Sequence, residues 1–277
     1  MNTGEIVKIL SDFNISPNKK LGQNFLCNKG IIDRIIEYSS VNKNDSILEI
    51  GAGLGILTES LAENAGRVTA VEIDSGLSKF LKEKFKNSGN LEIIHADFLK
   101  LTAAGEFSKS ISNLPYYCGT EILFKITIDY HIPEVYIMLQ REMAERIISK
   151  PGAKNYGAIS AVLGLYYEPK ILFNIDKRSF YPKPDIDSCY LSLKLKPDIQ
   201  MAKDELRLYH DLVKSAFWGR RKTILKALTE SPHLKYDRGF LQKCLNEADI
   251  DEKSRGETLT IDDFKHLVKK INDYSQT

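Results

Sequence analysis

With 277 residues, the chain can form one large α/β domain or one such domain with a small appendage. Its 43% hydrophobic and 27% charged residues suit an ordinary soluble globular protein, and no apolar run approaches the roughly 20 residues that cross a bilayer. A net charge of +2 argues only weakly for a polyanionic partner, so local charge patterning carries more information than the sum. The cysteines Cys27, Cys118, Cys189 and Cys244 are scattered without a Cys-x-x-Cys pair, which speaks against a zinc site or a disulfide framework. A reducing compartment fits, and the first 26 residues lack the apolar core of a secretory signal, so a cytoplasmic location is expected.

From residue 30 to about 140, short apolar segments alternate with helical periodicity. A helix is expected over 30–40, with Ile31, Ile32, Ile35 and Ile36 on one face and Asn28 as its cap. Strands are expected at 46–50, 67–73, 91–96, 110–113 and 134–139, with helices at 56–63, 76–86 and 141–149. Such alternation implies a parallel sheet covered by helices, with ligands at its carboxyl edge. After the loop 149–155 come a helix over 156–166 and two strands near 170–175 and 188–195. With no helix between them, they suggest an antiparallel hairpin closing the sheet edge. Lys196-Pro197-Asp198 reads as a linker, and everything beyond it is helical, giving domains at 1–198 and 199–277.

Gly51, Gly53 and Gly55 fall where the first strand of this alternation turns into a helix, and glycine there permits positive φ and close approach to a ligand. Glu72 follows Gly51 by 21 residues at a strand end, placed to accept hydrogen bonds from ribose hydroxyls. Asp97, ending the next strand, can accept from the amino group of an adenine lying across the sheet edge. A tight structural turn or a dinucleotide site would look similar. However, Ile56 occupies the place of the third fingerprint glycine, which favours S-adenosylmethionine, a nucleoside without pyrophosphate.

Asn113-Leu114-Pro115-Tyr116 ends the fourth strand of the alternation. Transfer of a methyl group to an exocyclic amino nitrogen of a nucleobase needs that nitrogen pulled toward tetrahedral geometry. The Asn113 side-chain oxygen and the Leu114 carbonyl can each accept one hydrogen bond from it, favouring the positive charge that develops there. Pro115 stiffens the turn, and Tyr116 offers a stacking face worth about 1–3 kcal/mol. His95, His131, His210, His233 and His266 form no metal-ligand or triad spacing, so no metal is expected, and His95 reads as a core histidine in its strand. No cysteine follows a proline, as carbon-5 methylation of pyrimidines would require.

The motifs as a set go further. Lys19-Lys20-Leu21-Gly22-Gln23-Asn24-Phe25-Leu26, Ile47–Gly55, Val71–Asp74, Ala96-Asp97, Asn113–Tyr116, Leu139–Arg146, Tyr156–Ser160, Phe180–Ser188 and Ala216–Thr223 together resemble the KsgA-type (RsmA) ribosomal RNA adenine dimethyltransferases. The resemblance spans nearly the whole chain. It implies a Rossmann-like class I S-adenosylmethionine-dependent methyltransferase with a small C-terminal all-α domain. The family dimethylates the N6 nitrogens of two adjacent adenosines in a hairpin near the 3′ end of small-subunit rRNA, during small-subunit biogenesis. Carried over, Asn24, Leu26, Gly51, Glu72, Asp97 and Asn113 contact the cofactor. Phe180 sandwiches the target adenine against Tyr116, and Leu114 supplies the second acceptor. Without the family, Phe180 reads as a loop-anchoring core aromatic and the Phe25 segment as a staple for the helix after it.

Arg220-Arg221-Lys222, expected to begin a helix after Trp218-Gly219, would meet rRNA backbone, and the helical domain would contact rRNA. Lys177, Arg178, Lys183, Lys19 and Lys20 could steer phosphates near the active site. The chain departs from the family at Leu21, at Tyr117-Cys118 and at Gly256 (where proline is typical), none of them an expected cofactor contact. The implied partner is small-subunit rRNA in an immature small subunit, met by a monomer with no membrane association. Three alternatives stay open: an Erm-type enzyme acting on large-subunit rRNA, a non-catalytic nucleic-acid-binding assembly factor, and, more distantly, a nicotinamide-dependent oxidoreductase.

Overall fold

The computed structural model describes residues 3–13, 15–17, 22–115, 117–197, 199–219 and 221–275. The chain divides into two compact units, Met1–Ala144 with Glu168–Leu195, and Glu145–Tyr167 with Lys196–Thr277.

The first unit begins with α1 (Thr3–Asp12), β1 (Phe25–Leu26) and α2 (Lys29–Ser39). It continues through β2 (Ser46–Ile50), α3 (Ile56–Asn64), β3 (Arg67–Glu72), α4 (Ser75–Lys84), β4 (Leu91–His95) and β5 (Lys109–Asn113). Next come α5 (Gly119–Lys125), which runs into a π-helical turn at Ile126–Tyr130, then β6 (Glu134–Gln140) and the start of α6 (Arg141–Ile147), whose residues from Glu145 belong to the second unit. Asp74 starts α4 by accepting from Leu77 N at 3.0 Å, an N-cap bond typically worth about 1 kcal/mol. Asn28 stands at the expected cap position of α2 but makes no side-chain cap bond.

Seven strands form the main sheet, which includes β7 (Tyr167–Ile175) and β9 (Ser188–Leu195) in the order β4-β3-β2-β5-β6-β9-β7. Strands β4 to β6 are parallel to their neighbours, and β9 inserts antiparallel to β6. Chain order runs outward from β2 through β3 to β4, then returns to β5 on the other side of β2, a reversal that opens a crevice at the carboxyl ends of β2 and β5. Residues 47–50 of β2 are all buried, which requires both faces of the sheet to be covered. One apolar cluster gathers Ile32 and Ile35 of α2 with Leu57 and Leu61 of α3 against Ile47, Val68 and Ile111. A second gathers Ile6 and Leu10 of α1 with Leu77, Phe80 and Leu81 of α4.

Local sequence misled in two places here. Strand β4 lies at the sheet edge, so His95 is exposed rather than buried, its Nε2 3.2 Å from Ile73 O. Phe25 and Leu26, read as a helix staple, form a two-residue strand paired antiparallel with β8 (Phe180–Tyr181). The expected hairpin does close one sheet edge, but its second strand β9 inserts next to β6 and leaves the first strand β7 outermost.

The second unit contains α7 (Ala158–Tyr166), α8 (Lys203–Ala216), α9 (Ile224–Glu230), α10 (Arg238–Glu247) and α11 (Ile261–Ser275). The sequence boundary at 198/199 left α7 with the sheet. Seven of the nine residues of α7 are buried, and a helix apolar all round must be covered on every side. The covering comes from α8, where Tyr209 Oη donates to Ala161 O at 3.0 Å, and from α11, whose Ile261 lies against Gly164. Lys196 is correspondingly no free linker. Its N–H donates to Tyr166 O at 2.8 Å and its ammonium to Gly164 O at 2.5 Å. Gly256 replaces the family's proline where a Cβ would stand 2.5 Å from Ala216 O, so a closely approaching backbone excludes any side chain. Arg221 and Lys222 precede α9 in a turn instead of opening a helix, and Arg220 lies outside the described residues. Among the described residues no helix is long and apolar enough to cross a membrane.

Candidate active site

The crevice predicted by the strand order is a cleft of about 780 Å³, counting its solvent-open mouth. Its floor is the turn after β2. Gly51, Gly53 and Gly55 have φ of 77°, 58° and 73°, a conformation that side chains with a Cβ rarely adopt. At Gly53 a Cβ would also press to 3.3 Å from the Phe25 ring. The turn is locked to the neighbouring strand, because Gly51 N donates to Val71 O at 2.8 Å and Gly53 N to Glu72 Oε2 at 2.8 Å. Glu72 Oε1 accepts from Asp74 N at 2.9 Å, so this carboxylate ties the glycine turn to the start of α4.

Asn113 enters from the end of β5. Its Nδ2 donates to Asn24 O at 3.1 Å. A carbonyl can only accept, so this bond fixes the amide's orientation and leaves Oδ1 as the acceptor. Asn24 is itself oriented by its own Nδ2, which donates to Gly22 O at 3.1 Å. Leu114 N donates to Met138 O at 3.1 Å, which anchors the tetrapeptide to β6.

The cleft lining therefore brings together Asn24, Leu26, Gly51, Glu72, Asn113 and Leu114 from four separate chain segments. Two other candidates are not in that lining. Asp97 sits at the end of β4, where its Oδ1 accepts from Leu99 N at 3.0 Å and caps a single helical turn. Phe180 is 3% exposed and packs in the cluster with Leu26, Ile32 and Tyr190. Pairing of β8 with β1 puts Phe180 beside Leu26 and packs the ring in that cluster, away from the cleft lining. Tyr116 and Lys19–Leu21 lie outside the described residues. Lys177 and Arg178 are engaged locally, by Asp185 O and by the Asp176 carboxylate.

Sequence reading missed Glu49. It lies in β2, 1% exposed, lines the cleft, and its Oε2 has no hydrogen-bond partner. Burial pushes its carboxyl up to about 8, and the charge of nearby Glu72 adds to the effect. Burial also raises Glu72, with the charge of Asp74 adding to it, against the lowering effect of the Asp74, Gly53 and Ile73 N–H groups. An acid inside an otherwise apolar strand, two residues before a glycine turn, was the available signal. Tyr117, not an expected cofactor contact, stands in the site as well. It lines the cleft and is 50% exposed.

A cradle of positive-φ glycines, the Glu72 carboxylate and a buried acid with one unpartnered oxygen, all lining the same space, fit a nucleoside that carries positive charge. The fold and this site define a class I S-adenosylmethionine-dependent methyltransferase. The chain matches the ribosomal RNA adenine dimethylase family over residues 14–273. It is 38% identical to ribosomal RNA small subunit methyltransferase A of Alkaliphilus oremlandii, over 95% of this chain and 96% of that one. It is 34% identical to the protein of the same name from Bacillus licheniformis, over 96% and 95%. By fold it is similar to a dimethyladenosine transferase from Plasmodium falciparum (TM-score 0.78, 24% identity, 91% of this chain and 98% of that one). It is also similar to the 23S rRNA methyltransferase ErmE (TM-score 0.65, 26% identity, 90% and 100%). The chain belongs to the ribosomal RNA adenine dimethylase family, and its cofactor is S-adenosylmethionine.

Proposed function

We propose that the chain dimethylates the N6 nitrogens of two adjacent adenosines in a hairpin near the 3′ end of small-subunit rRNA. It acts as a cytoplasmic monomer on immature small subunits. The observation that carries this reading is the Asn113 amide, whose orientation is set by Asn24 O so that an oxygen is left to accept from an amine. S-adenosylmethionine supplies a methyl group activated on a sulfonium. Asn24, Leu26, Gly51, Glu72 and Asn113 hold it, with Glu72 at the ribose. Glu49 accepts from a cationic group, which draws its raised carboxyl to the ionised state. Asp97 is assigned to the adenine amino group from its place at the end of β4 and from the resemblance, although it is not in the cleft lining. Asn113 Oδ1 and the Leu114 carbonyl draw the N6 hydrogens away from the ring plane, localising the lone pair and favouring the charge that forms on nitrogen. Tyr116 stacks on the base; Phe180 stays in the core. No tuned general base is needed, because the methylated ammonium is acidic enough to lose its proton to water. In the helical unit, Arg221 and Lys222 contact rRNA phosphates.

Labelled methyl transfer to unmethylated small subunits, followed by nucleoside analysis, tests this reading. 6,6-Dimethyladenosine is the expected product, and Asn113→Ala should lower its formation at least about a hundredfold while the protein stays folded. Label entering only naked large-subunit rRNA would replace the substrate assignment with the Erm-type one.

A further inference from the structure

Among the described residues, two of the large apolar side chains that remain exposed line the cleft: Ile73 at 40% and Tyr117 at 50%. Exposed apolar surface on a cleft wall is free to be covered by a ligand, and a flat aromatic ligand covers it best. Ile73 directly follows Glu72, and Tyr117 follows the Asn113–Pro115 segment just before Cys118 and α5. Both thus stand where the proposed ribose acceptor meets the methyl-transfer residues. The Tyr117 hydroxyl is pushed up to about 12 by partial burial and by Cys118, with the charges of Asp97 and Glu72 adding to the effect. The ring therefore lies within electrostatic reach of both acids assigned to the nucleoside.

We propose that Tyr117 is a cofactor-binding residue whose ring, with the side chain of Ile73, supplies the apolar surface that the cofactor's adenine covers. The proposal rests on the placement of the cofactor in this cleft. Stacking of a purine on tyrosine is sequence-tolerant and needs no hydrogen bond, so the ring and not the hydroxyl is the active part.

Calorimetric titration of S-adenosylhomocysteine into the full-length protein tests the assignment. Tyr117→Ala should raise the Kd roughly tenfold, Tyr117→Phe should restore most of the affinity, and the KM for small subunits should stay as in the parent protein. An unchanged Kd in Tyr117→Ala would overturn the proposal, whether or not the KM for subunits rises. If the alanine variant does not accumulate as folded protein, Tyr117→Asn decides in the same assay: a comparable loss supports the contact and parental affinity refutes it. Glu72→Ala, titrated in parallel, separates two failures. If it weakens binding and Tyr117→Ala does not, only the Tyr117 contact is lost; if neither does, the cofactor's placement falls as well.

Discussion

At the amino ends of β2 and β5, buried charge is closed on itself; at the carboxyl ends of β2 and β3 it is left open. Lys109 donates to Asp45 Oδ2 at 2.9 Å and to Ser40 O at 3.0 Å, and both side chains of the pair are under 10% exposed. The other Asp45 oxygen accepts from Ser108 Oγ at 2.8 Å. Burial raises the Asp45 carboxyl, but Lys109, the N–H of Asn42 and the Ser108 hydroxyl together outweigh it and hold the group below the usual carboxylate range. Burial raises both Glu49 and Glu72, the charge of Glu72 adds to the effect on Glu49 and that of Asp74 to the effect on Glu72, and no Lys or Arg is among the described residues that line the cleft. One end of the sheet is built to stay shut, the other to receive a positive ligand. Their pH dependences run oppositely. The depressed Asp45 stabilises the fold above its ordinary value and loses that contribution as pH falls through its folded value. The raised Glu49 stabilises the ligand-free fold at low pH and loses its contribution as pH rises from about 4.5 toward 8.

This contrast can be broken at either end. The largest effect is expected from Lys109→Met, which strands a buried Asp45 charge. It should cost about 3–5 kcal/mol in denaturant unfolding while the affinity for S-adenosylhomocysteine stays put. A loss below about 1 kcal/mol would show that the closed end is not a stabilising device. Glu49→Gln should do the reverse. At pH 8, cofactor affinity should fall about tenfold through loss of a charge-assisted bond, while thermal unfolding of the ligand-free protein is unchanged or shifted upward. Equal affinity would remove Glu49 from the site. The smallest effect is expected from the surface of the helical unit. Reversing Arg221 and Lys222 should flatten the salt dependence of subunit binding by about two phosphate contacts, and an unaltered slope would make them plain solvated residues.

The amino-acid sequence foretold the open end better than the closed one. The glycine turn, Glu72 and Asn113 were legible because each obeys a local rule about turn conformation or strand ends, and strand order then does the rest. Asn24 and Leu26 were reachable only through resemblance, since their place in the cleft depends on pairing β1 with β8, two-residue strands too short to show a period. The burial of Phe180 follows from the same pairing. The exposure of His95 turns on β4 being the sheet edge, which no window of its own residues reveals. Helix α7 announced that it must be buried, yet not that α8 and α11 would do the burying. Glu49 was visible but ambiguous, because an acid in an apolar strand only acquires meaning once Glu72 is beside it and its Oε2 is seen to lack a partner.

Sinefungin, an analogue that carries an amine in place of the sulfonium, puts the open end to the test most directly. Titrated calorimetrically at pH 7 in two buffers of different ionisation enthalpy, it should bind with heats that differ between buffers. That difference reports a proton released as Glu49 ionises, and it should vanish in Glu49→Gln. Identical heats in both buffers for the parent protein would contradict an acid held protonated in wait for a cation.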